Sequence, residues 1–126
     1  MKKHAKKVED LHVFERAYKV SLKIHKISLQ LPKIEQYALG DQIRRASKSI
    51  CANLAEGFSK QIGSKKEFRQ FILTSMGSSD EMQVWIKYCK DLAYLTEEQA
   101  ETFTQEYQEI SKMLRSLYNY VSQQVT

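Results

Sequence analysis

Apolar residues recur along this chain at alternating steps of three and four, and this spacing restricts the possible folds more than any other feature. The last quarter of the chain shows it most clearly, at Ala100, Phe103, Tyr107, Ile110, Leu114, Leu117 and Val121. An average step of 3.5 residues keeps apolar side chains on one face of an α-helix and favours helices packed nearly parallel or antiparallel. No segment shows the period of two typical of a half-buried strand, so the sequence predicts an all-α protein.

The same spacing recurs in four successive segments. We predict helices over residues 10–31, 40–62, 65–94 and 96–124. Pro32 ends the first helix, because the residue before a proline is driven out of the helical region. Ser64 with Glu67, and Thr96 with Gln99, have the spacing of a capping box at the starts of the third and fourth helices. Short links force neighbouring helices to be antiparallel, which predicts an up-down-up-down four-helix bundle.

The net charge of +5 is unevenly distributed along the chain. Residues 1–33 contain nine Lys and Arg residues and three acidic residues, whereas residues 96–126 contain two and five. We therefore divide the chain into a basic N-terminal arm, residues 1–9, and the bundle, residues 10–126, with Asp10 as a candidate cap of the first helix. Clustered Lys and Arg residues are the usual footprint of nucleic-acid binding, although a solvated arm that aids solubility accounts for the same pattern.

Cations on the first three predicted helices form three groups. We predict nucleic-acid contacts from Lys19, Lys23 and Lys26; from Arg44, Arg45 and Lys48; and from Lys65, Lys66 and Arg69. Lysine-rich faces that lack a set of Asn, Gln and Arg residues able to read base edges indicate contact with the phosphate backbone.

The second predicted helix places small and polar residues close to positions that a core would fill with leucine. Small residues allow another helix to approach closely, and the third helix has a matching run over residues 75–79. We predict that the two runs meet in a hydrogen-bonded polar layer formed by Ser49, Asn53, Glu56, Ser75 and Ser79. A buried Glu56 would need a partner. A catalytic role for this carboxylate is disfavoured, because no second acid or histidine lies at a matching helical spacing.

The third predicted helix has apolar residues on more than one face. Leu73, Val84 and Tyr88, with Gly77 between them, lie roughly opposite the core stripe. A helix that is apolar on two sides has more surface to bury than one bundle can cover. We predict an oligomer interface at Leu73, Val84 and Tyr88, although scattered apolar residues are common on protein surfaces.

The sequence lacks the motifs of catalysis and metal binding. Cys51 and Cys89 are isolated, and His4, His12 and His25 have no metal-ligand spacing with each other or with a cysteine. We therefore expect no enzymatic activity, no metal and no cofactor. The first residues lack the apolar core of a signal peptide, and no apolar run approaches 18 residues, so we expect a cytoplasmic protein without membrane contact.

Several strings of residues resemble a known bacterial family. They include DLHVF at residues 10–14, QIRRA at 42–46 and SICANLAEG at 49–57. Over about residues 10–115 the chain resembles the four-helix-bundle family that includes the protein encoded in intervening sequences of 23S ribosomal RNA genes. Cys51 stands where this family usually has proline, and Ala93 stands where it usually has glycine.

The resemblance implies an up-down bundle that assembles as a homopentameric ring and has no enzymatic activity. It also implies likeness to the accessory variability determinant of diversity-generating retroelements, a basic pentamer that binds nucleic acid and a reverse transcriptase. We expect a homo-oligomeric bundle that contacts RNA or DNA through phosphate. The alternative is an accessory protein-interaction subunit of a reverse transcriptase in a diversity-generating retroelement, and a third possibility is a structural protein with another partner.

Overall fold

The computed structural model describes residues 5–125 and contains four long helices. They are α1 His12–Ser28, α2 Leu39–Lys60, α3 Lys65–Asp91 and α4 Glu97–Ser122. Short 3-10 turns at Val8–Asp10 and Lys33–Glu35 precede α1 and α2, and no strand occurs within residues 5–125. The predicted all-α class and four-helix bundle are confirmed. The first four residues of the predicted basic arm lie outside the described part of the chain.

Helices that follow one another in sequence are neighbours in space. The contacts run from α1 to α2, from α2 to α3 and from α3 to α4, and α1 closes on α4. Within residues 5–125, no Cα atom of α1 lies within 8 Å of one of α3, so these two helices lie diagonally across the bundle. A two-bond ion pair joins the first helix to the last, with distances of 3.0 Å from Arg16 Nε to Glu106 Oε2 and 2.6 Å from Arg16 Nη2 to Glu106 Oε1.

The predicted apolar stripes form the core. The residues with no exposed surface include Ile50, Leu54, Ile72, Met82, Tyr107, Ile110 and Leu114. All four helices contribute buried side chains, because each turns its stripe toward the common axis. The burial of so many large apolar side chains is the main force that holds the bundle together.

Small residues bring α2 and α3 close together, which explains their place in the second helix. Gly57 is buried, and a Cβ atom added there would lie 2.6 Å from Phe71 Cβ and 3.0 Å from Phe68 Cδ1. Phe68 packs edge-on against Phe58 of α2, with ring centroids 5.9 Å apart. The close approach at Gly57 therefore allows aromatic rings from both helices to interlock around it.

The helix ends differ from the predicted ones where contacts from distant residues intervene. The first helix stops at Ser28 rather than at residue 31, because Gln36 Nε2 donates to the carbonyls of Ser28 (3.0 Å) and Leu31 (2.9 Å) and turns the chain. Asp10 does not cap α1: its carboxylate accepts from the backbone amides of Lys6 and Lys7 in the preceding turn. The second helix spans Leu39–Lys60 rather than 40–62.

The third helix ends at Asp91 rather than at residue 94. Ala93 has a φ of 66°, in the left-handed region that favours glycine, and the amides of Tyr94 and Leu95 then donate to the carbonyl of Cys89. The fourth helix starts at Glu97, and Thr96 and Gln99 form the predicted capping box with bonds of 3.0 and 3.1 Å. This helix ends at Ser122 rather than at residue 124.

Candidate nucleic-acid interface

The three lysines predicted on the first helix follow one side of α1 and are exposed. Arg16, Lys19, Lys23 and Lys26 succeed one another at steps of three and four, so they lie on the side of α1 that faces α4. Lys19 Nζ lies 2.8 Å from Glu15 Oε1. The side chains of Lys23 and Lys26 extend into solvent from this side.

The cations on α2 have different surroundings. Arg44 is partly buried and donates to Ser28 Oγ (3.1 Å), to Gln36 Oε1 (3.3 Å) and to the backbone carbonyl of Gln36. A Cβ atom at Gly40 would lie 3.1 Å from Arg44 Nη1 and 3.0 Å from the carbonyl of Glu35, so the glycine makes room for the guanidinium. Arg44 thus holds the loop between α1 and α2 in place.

Arg45 and Lys48 are exposed on the outer side of α2. Arg45 Nη1 lies 3.8 Å from Asp41 Oδ2, a distance at which an exposed pair is weak. Lys48 Nζ lies 2.9 Å from Nδ1 of His25, which places this lysine beside α1. The structure therefore leaves exposed cations on both sides of the outer surface of α1, with Lys23 and Lys26 toward α4 and Lys48 toward α2. We call Lys23, Lys26, Arg45 and Lys48 the basic face.

The third predicted group lies at the other end of the bundle. Arg69 is partly buried, with its guanidinium carbon 5.9 Å from the ring centroid of Tyr118, and its Nε atom has no hydrogen-bond partner within residues 5–125. Lys65 Nζ lies 3.5 Å from Gln61 Oε1, and Lys66 is exposed. Lys65 and Lys66 therefore form a second basic site, separate from the basic face.

Serine hydroxyls join α3 to both of its neighbours. Ser75 Oγ donates to the carbonyl of Ile50 at 2.9 Å, and Ser78 Oγ donates to Ser49 Oγ at 2.9 Å, both across the α2–α3 contact. Asn53 Nδ2 donates to Ser49 Oγ within α2, at 2.9 Å.

Two members of the predicted polar layer lie elsewhere. Glu56 is exposed, so its predicted place in the layer is wrong: at this position the helix has turned its side chain toward solvent. Ser79 is buried but faces α4, where its hydroxyl donates to the carbonyl of Tyr107 at 3.0 Å. Ser111 donates to Ser79 Oγ and to Asp80 Oδ1. Neither Ser78 nor Ser111 was assigned to the layer from the sequence. Ser78 lies three residues after the predicted member Ser75, whereas Ser111 is on α4, where no member was predicted.

The predicted oligomer interface is solvent-exposed in the single chain. Leu73, Val84 and Tyr88 are 40%, 51% and 54% exposed on the outer side of α3. Gly77 lies between them, and a Cβ atom added there would have no neighbour within 4 Å. We call these four residues the α3 face.

A second exposed apolar surface lies on α1 and was missed. Tyr18, Leu22 and Leu29 are about half exposed, and we call them the α1 ridge. Their spacing of four and seven residues is a helical one, so the sequence contained the signal. The ring of Tyr18 stacks on that of the half-buried Phe14, with centroids 6.2 Å apart.

Comparison with known proteins places the chain in a family. The family model for the 23S rRNA-intervening sequence protein matches residues 9–116. The chain belongs to this family. A crystal structure of a protein of unknown function from the S23 ribosomal protein family of Bacteroides thetaiotaomicron has the same fold, with a TM-score of 0.76 and 24% identity. The match covers 85% of this chain and 95% of that one. No curated protein matches the chain.

The thiols of this 23S rRNA-intervening sequence family member are held neutral. Burial raises the pKa of Cys51 to about 12, and burial together with the negative charge of Glu35 raises that of Cys89 to about 11. Neutral thiols are poor nucleophiles and poor metal ligands. Within residues 5–125, no group of three His, Cys, Asp or Glu residues could hold a metal ion, and none of the helices combines the length and the apolar composition of a membrane span.

Proposed function

We propose that this family member is a non-catalytic, homo-oligomeric helical bundle that binds RNA or DNA through the phosphate backbone. The observation that carries the proposal is the basic face, whose exposed cations flank the outer side of α1, with Lys23 and Lys26 toward α4 and Lys48 and Arg45 on the α2 side. The free thiols Cys51 and Cys89 fit a reducing compartment, so the proposed place of action is the cytoplasm.

The basic face suits phosphate better than base edges. Three of its four members are lysines, which act as point charges on flexible stems and do not select particular bases. Arg44 contributes to the fold rather than to this surface, because its guanidinium is engaged by Ser28 and Gln36. Lys65 and Lys66 would add phosphate contacts at the far end of the bundle.

Self-association through Leu73, Val84 and Tyr88 would multiply this surface. Each added copy would contribute another basic face, and potentials from several copies reinforce one another within a Debye length, which is about 8 Å at physiological salt. The family resemblance supports a pentamer as the assembled form.

The test is a titration of a fluorescent 20-nucleotide RNA and of a DNA duplex, each followed by anisotropy at several salt concentrations. Several phosphate contacts should make affinity fall steeply with salt, by orders of magnitude between about 50 and 200 mM if six or more form. The Arg45→Glu, Lys48→Glu double variant should bind at least about tenfold more weakly and with a shallower salt dependence. Its matched control is Lys112→Glu with Arg115→Glu, the same charge change on exposed positions of α4.

Equal loss in both double variants would show that only net charge matters, and unchanged affinity in the first would remove Arg45 and Lys48 from the interface. An absence of binding by the wild type at low salt would contradict the nucleic-acid proposal itself.

The second candidate is an accessory subunit that binds a reverse transcriptase in a diversity-generating retroelement. The observation that favours it is the loop before α2, where Ile34 is 85% and Tyr37 is 97% exposed. Two large apolar side chains three residues apart on one loop would give a protein partner a small patch to contact. Binding to a purified reverse transcriptase that is insensitive to salt and lost on Tyr37→Ala would support this candidate over the first.

A further inference from the structure

We propose that the α3 face is covered by the α1 ridge of a second copy of this chain, so that copies join head to tail. The inference rests on the self-association proposed above and names the two unlike surfaces that meet. Tyr18, Leu22 and Leu29 of one copy would pack on Leu73, Gly77, Val84 and Tyr88 of the next.

The positions of the two surfaces in the bundle favour a head-to-tail arrangement. Because α1 and α3 are diagonal, their outer sides point away from each other. A copy that uses its α1 ridge on one neighbour therefore still offers its α3 face to another. Such an interface joins unlike surfaces, and it produces a closed ring when the rotation between copies completes a full turn.

The presence of glycine at position 77 is explained by contact with a second copy rather than by any contact within the chain. A glycine inside a helix costs about 0.5–1 kcal/mol relative to alanine. Nothing within this chain requires its small size, because an added Cβ atom would have no neighbour within 4 Å. A helix of a second copy that packs between Leu73 and Val84 would occupy that open space and approach the backbone closely.

Contacts within the bundle show that the two surfaces lie at matching heights. Cys51 Sγ lies 3.7 Å from the carbonyl oxygen of Phe14 in α1, and the carbonyl of the adjacent Ile50 accepts from Ser75 of α3. Phe14 and Ser75 are thus at about the same level. The helices α1 and α3 also run in the same direction, because each is antiparallel to α2.

Above that common level, apolar residues of the two surfaces lie at similar heights along the bundle axis. Leu22 is eight residues beyond the level on α1, and Val84 is nine residues beyond it on α3. The difference of one residue is about 1.5 Å along the helix axis. Leu29 and Tyr88 differ by two residues, or about 3 Å. A neighbour therefore meets the α1 ridge with almost no vertical shift, which is the condition for a flat ring.

Charges beside the two surfaces have opposite net sign. Beside the α1 ridge are two lysines and one glutamate: Lys19, Lys26 and Glu15. Beside the α3 face are three acids and one lysine: Asp80, Glu81, Asp91 and Lys87. Lys19 lies on the α4 side of α1, and Asp80, which accepts from Ser111, lies on the α4 side of α3. A neighbour related by rotation about an axis outside the subunit and parallel to its bundle axis brings these two edges together, so the opposite charges meet.

Two single variants and their mixture test this pairing by multi-angle light scattering. Leu22→Asp damages the α1 ridge, and Val84→Asp damages the α3 face. Both positions are about half exposed, so the fold should survive, which circular dichroism checks. Each variant alone should run as a monomer where the wild type is an oligomer. An equimolar mixture should double in mass to a 1:1 pair, because each variant retains the surface that the other lacks.

The control is Ile34→Asp, which places the same charge on an exposed apolar position outside both surfaces and should leave the oligomer intact. If the wild type is an oligomer but the mixture stays monomeric, or if Leu22→Asp assembles like the wild type, the head-to-tail pairing is wrong while self-association stands. A monomeric wild type would overturn both. The comparison of the Arg45→Glu, Lys48→Glu variant with its control tests nucleic-acid binding separately, because neither residue belongs to the α1 ridge or the α3 face.

Discussion

A glycine lies at each of the two sides of α3, Gly57 of α2 on the inner side and Gly77 of α3 on the outer side, and contacts within the folded chain explain only the first. Gly57 of α2 packs against the inner side of α3, where an added Cβ atom would lie 2.6 Å from Phe71 Cβ. Gly77 lies on the outer side, where an added Cβ atom would meet nothing within 4 Å. The inner glycine is needed for the bundle to close, whereas no contact within the described residues requires the outer one.

The polar groups of the two sides differ in the same way. On the inner side the Ser75 hydroxyl is fully buried and bonded to the carbonyl of Ile50. On the outer side Asp80, Glu81 and Tyr88 are exposed to solvent. The inner contact is thus completed within one chain, whereas the outer side is exposed to solvent in the single chain. The predictions below compare substitutions on the two sides.

The largest expected effect is from Gly57→Ala. The added methyl group meets a Cβ atom that cannot rotate away, and overpacking of this kind costs about 3 kcal/mol, at the upper end of the usual range. Gly77→Ala, the same change on the outer side, should instead stabilise the folded subunit by about 0.5–1 kcal/mol and weaken self-association. Urea unfolding of both variants, at concentrations where the subunit is monomeric, checks the sign. Equal destabilisation would remove the contrast between the two sides.

The next effect comes from the buried thiol of Cys89 and appears at alkaline pH. Burial, aided by the charge of Glu35, raises the pKa of Cys89 to about 11, whereas an unfolded thiol titrates near 8.5–9. Between these values the unfolded chain loses a proton that the folded chain keeps. Stability is therefore complete below about pH 8.5 and falls as pH rises, by as much as about 2 kcal/mol at pH 11.

Denaturant unfolding at pH 8, 9, 10 and 11 measures this fall. Cys89→Ala should show a shallower fall over the same range, even though the variant starts from a lower stability. An identical slope in the variant would assign the alkaline loss to other groups.

A smaller effect separates two serines one turn apart. Ser75→Ala should cost about 1 kcal/mol, because it leaves the buried carbonyl of Ile50 without the hydroxyl that donates to it. Ser78→Ala removes a bond between two partly exposed hydroxyls, which water can replace, and should cost less. Thermal unfolding of both variants gives the comparison, and a larger loss from Ser78→Ala would contradict the assignment of Ser75 to the interior.

The smallest effect concerns the C-terminal end of α3 and does not involve the inner or the outer side of this helix. Ala93 has a φ of 66°, which costs an alanine about 1–2 kcal/mol relative to the right-handed region. Glycine removes this cost but loses more conformational entropy on folding. Ala93→Gly should therefore raise the free energy of unfolding by about 0.5 kcal/mol, measured by calorimetry, with assembly unchanged. A loss of stability would show that the left-handed turn is not strained.

The sequence was sufficient to predict the fold because the local spacing of apolar residues determines which face of each helix packs against the others. The spacing of Ala100 through Val121 defined α4, and the capping residues Ser64 and Thr96 marked two helix starts that the structure confirms. The run of small residues in α2 also pointed correctly to a close helix contact, which Gly57 shows.

The errors lie where a residue's role depends on contacts distant in sequence. Gln36 and Arg44 end α1 early, and their hydrogen bonds to Ser28 leave no trace in periodicity. Glu56 lies three residues after Asn53, which is a helical spacing. A rotation of α2 smaller than the angle between successive residues nevertheless decides whether the Glu56 side chain faces α3 or solvent. The α1 ridge was hidden for a different reason: exposed apolar residues become informative only when the core is known.

The hydrogen bond from Tyr94 Oη to Glu35 Oε2, 2.9 Å long, ties the loop after α1 to the loop after α3. This hydrogen bond and the Arg44 contacts together hold the loops at one end of the bundle in place. Thermal fraying should therefore begin at the opposite end, near residues 61–64, and travel toward the fastened loops. Backbone amides in the first turns of α2 would then exchange with deuterium later than those in its last turn, although both belong to one continuous helix.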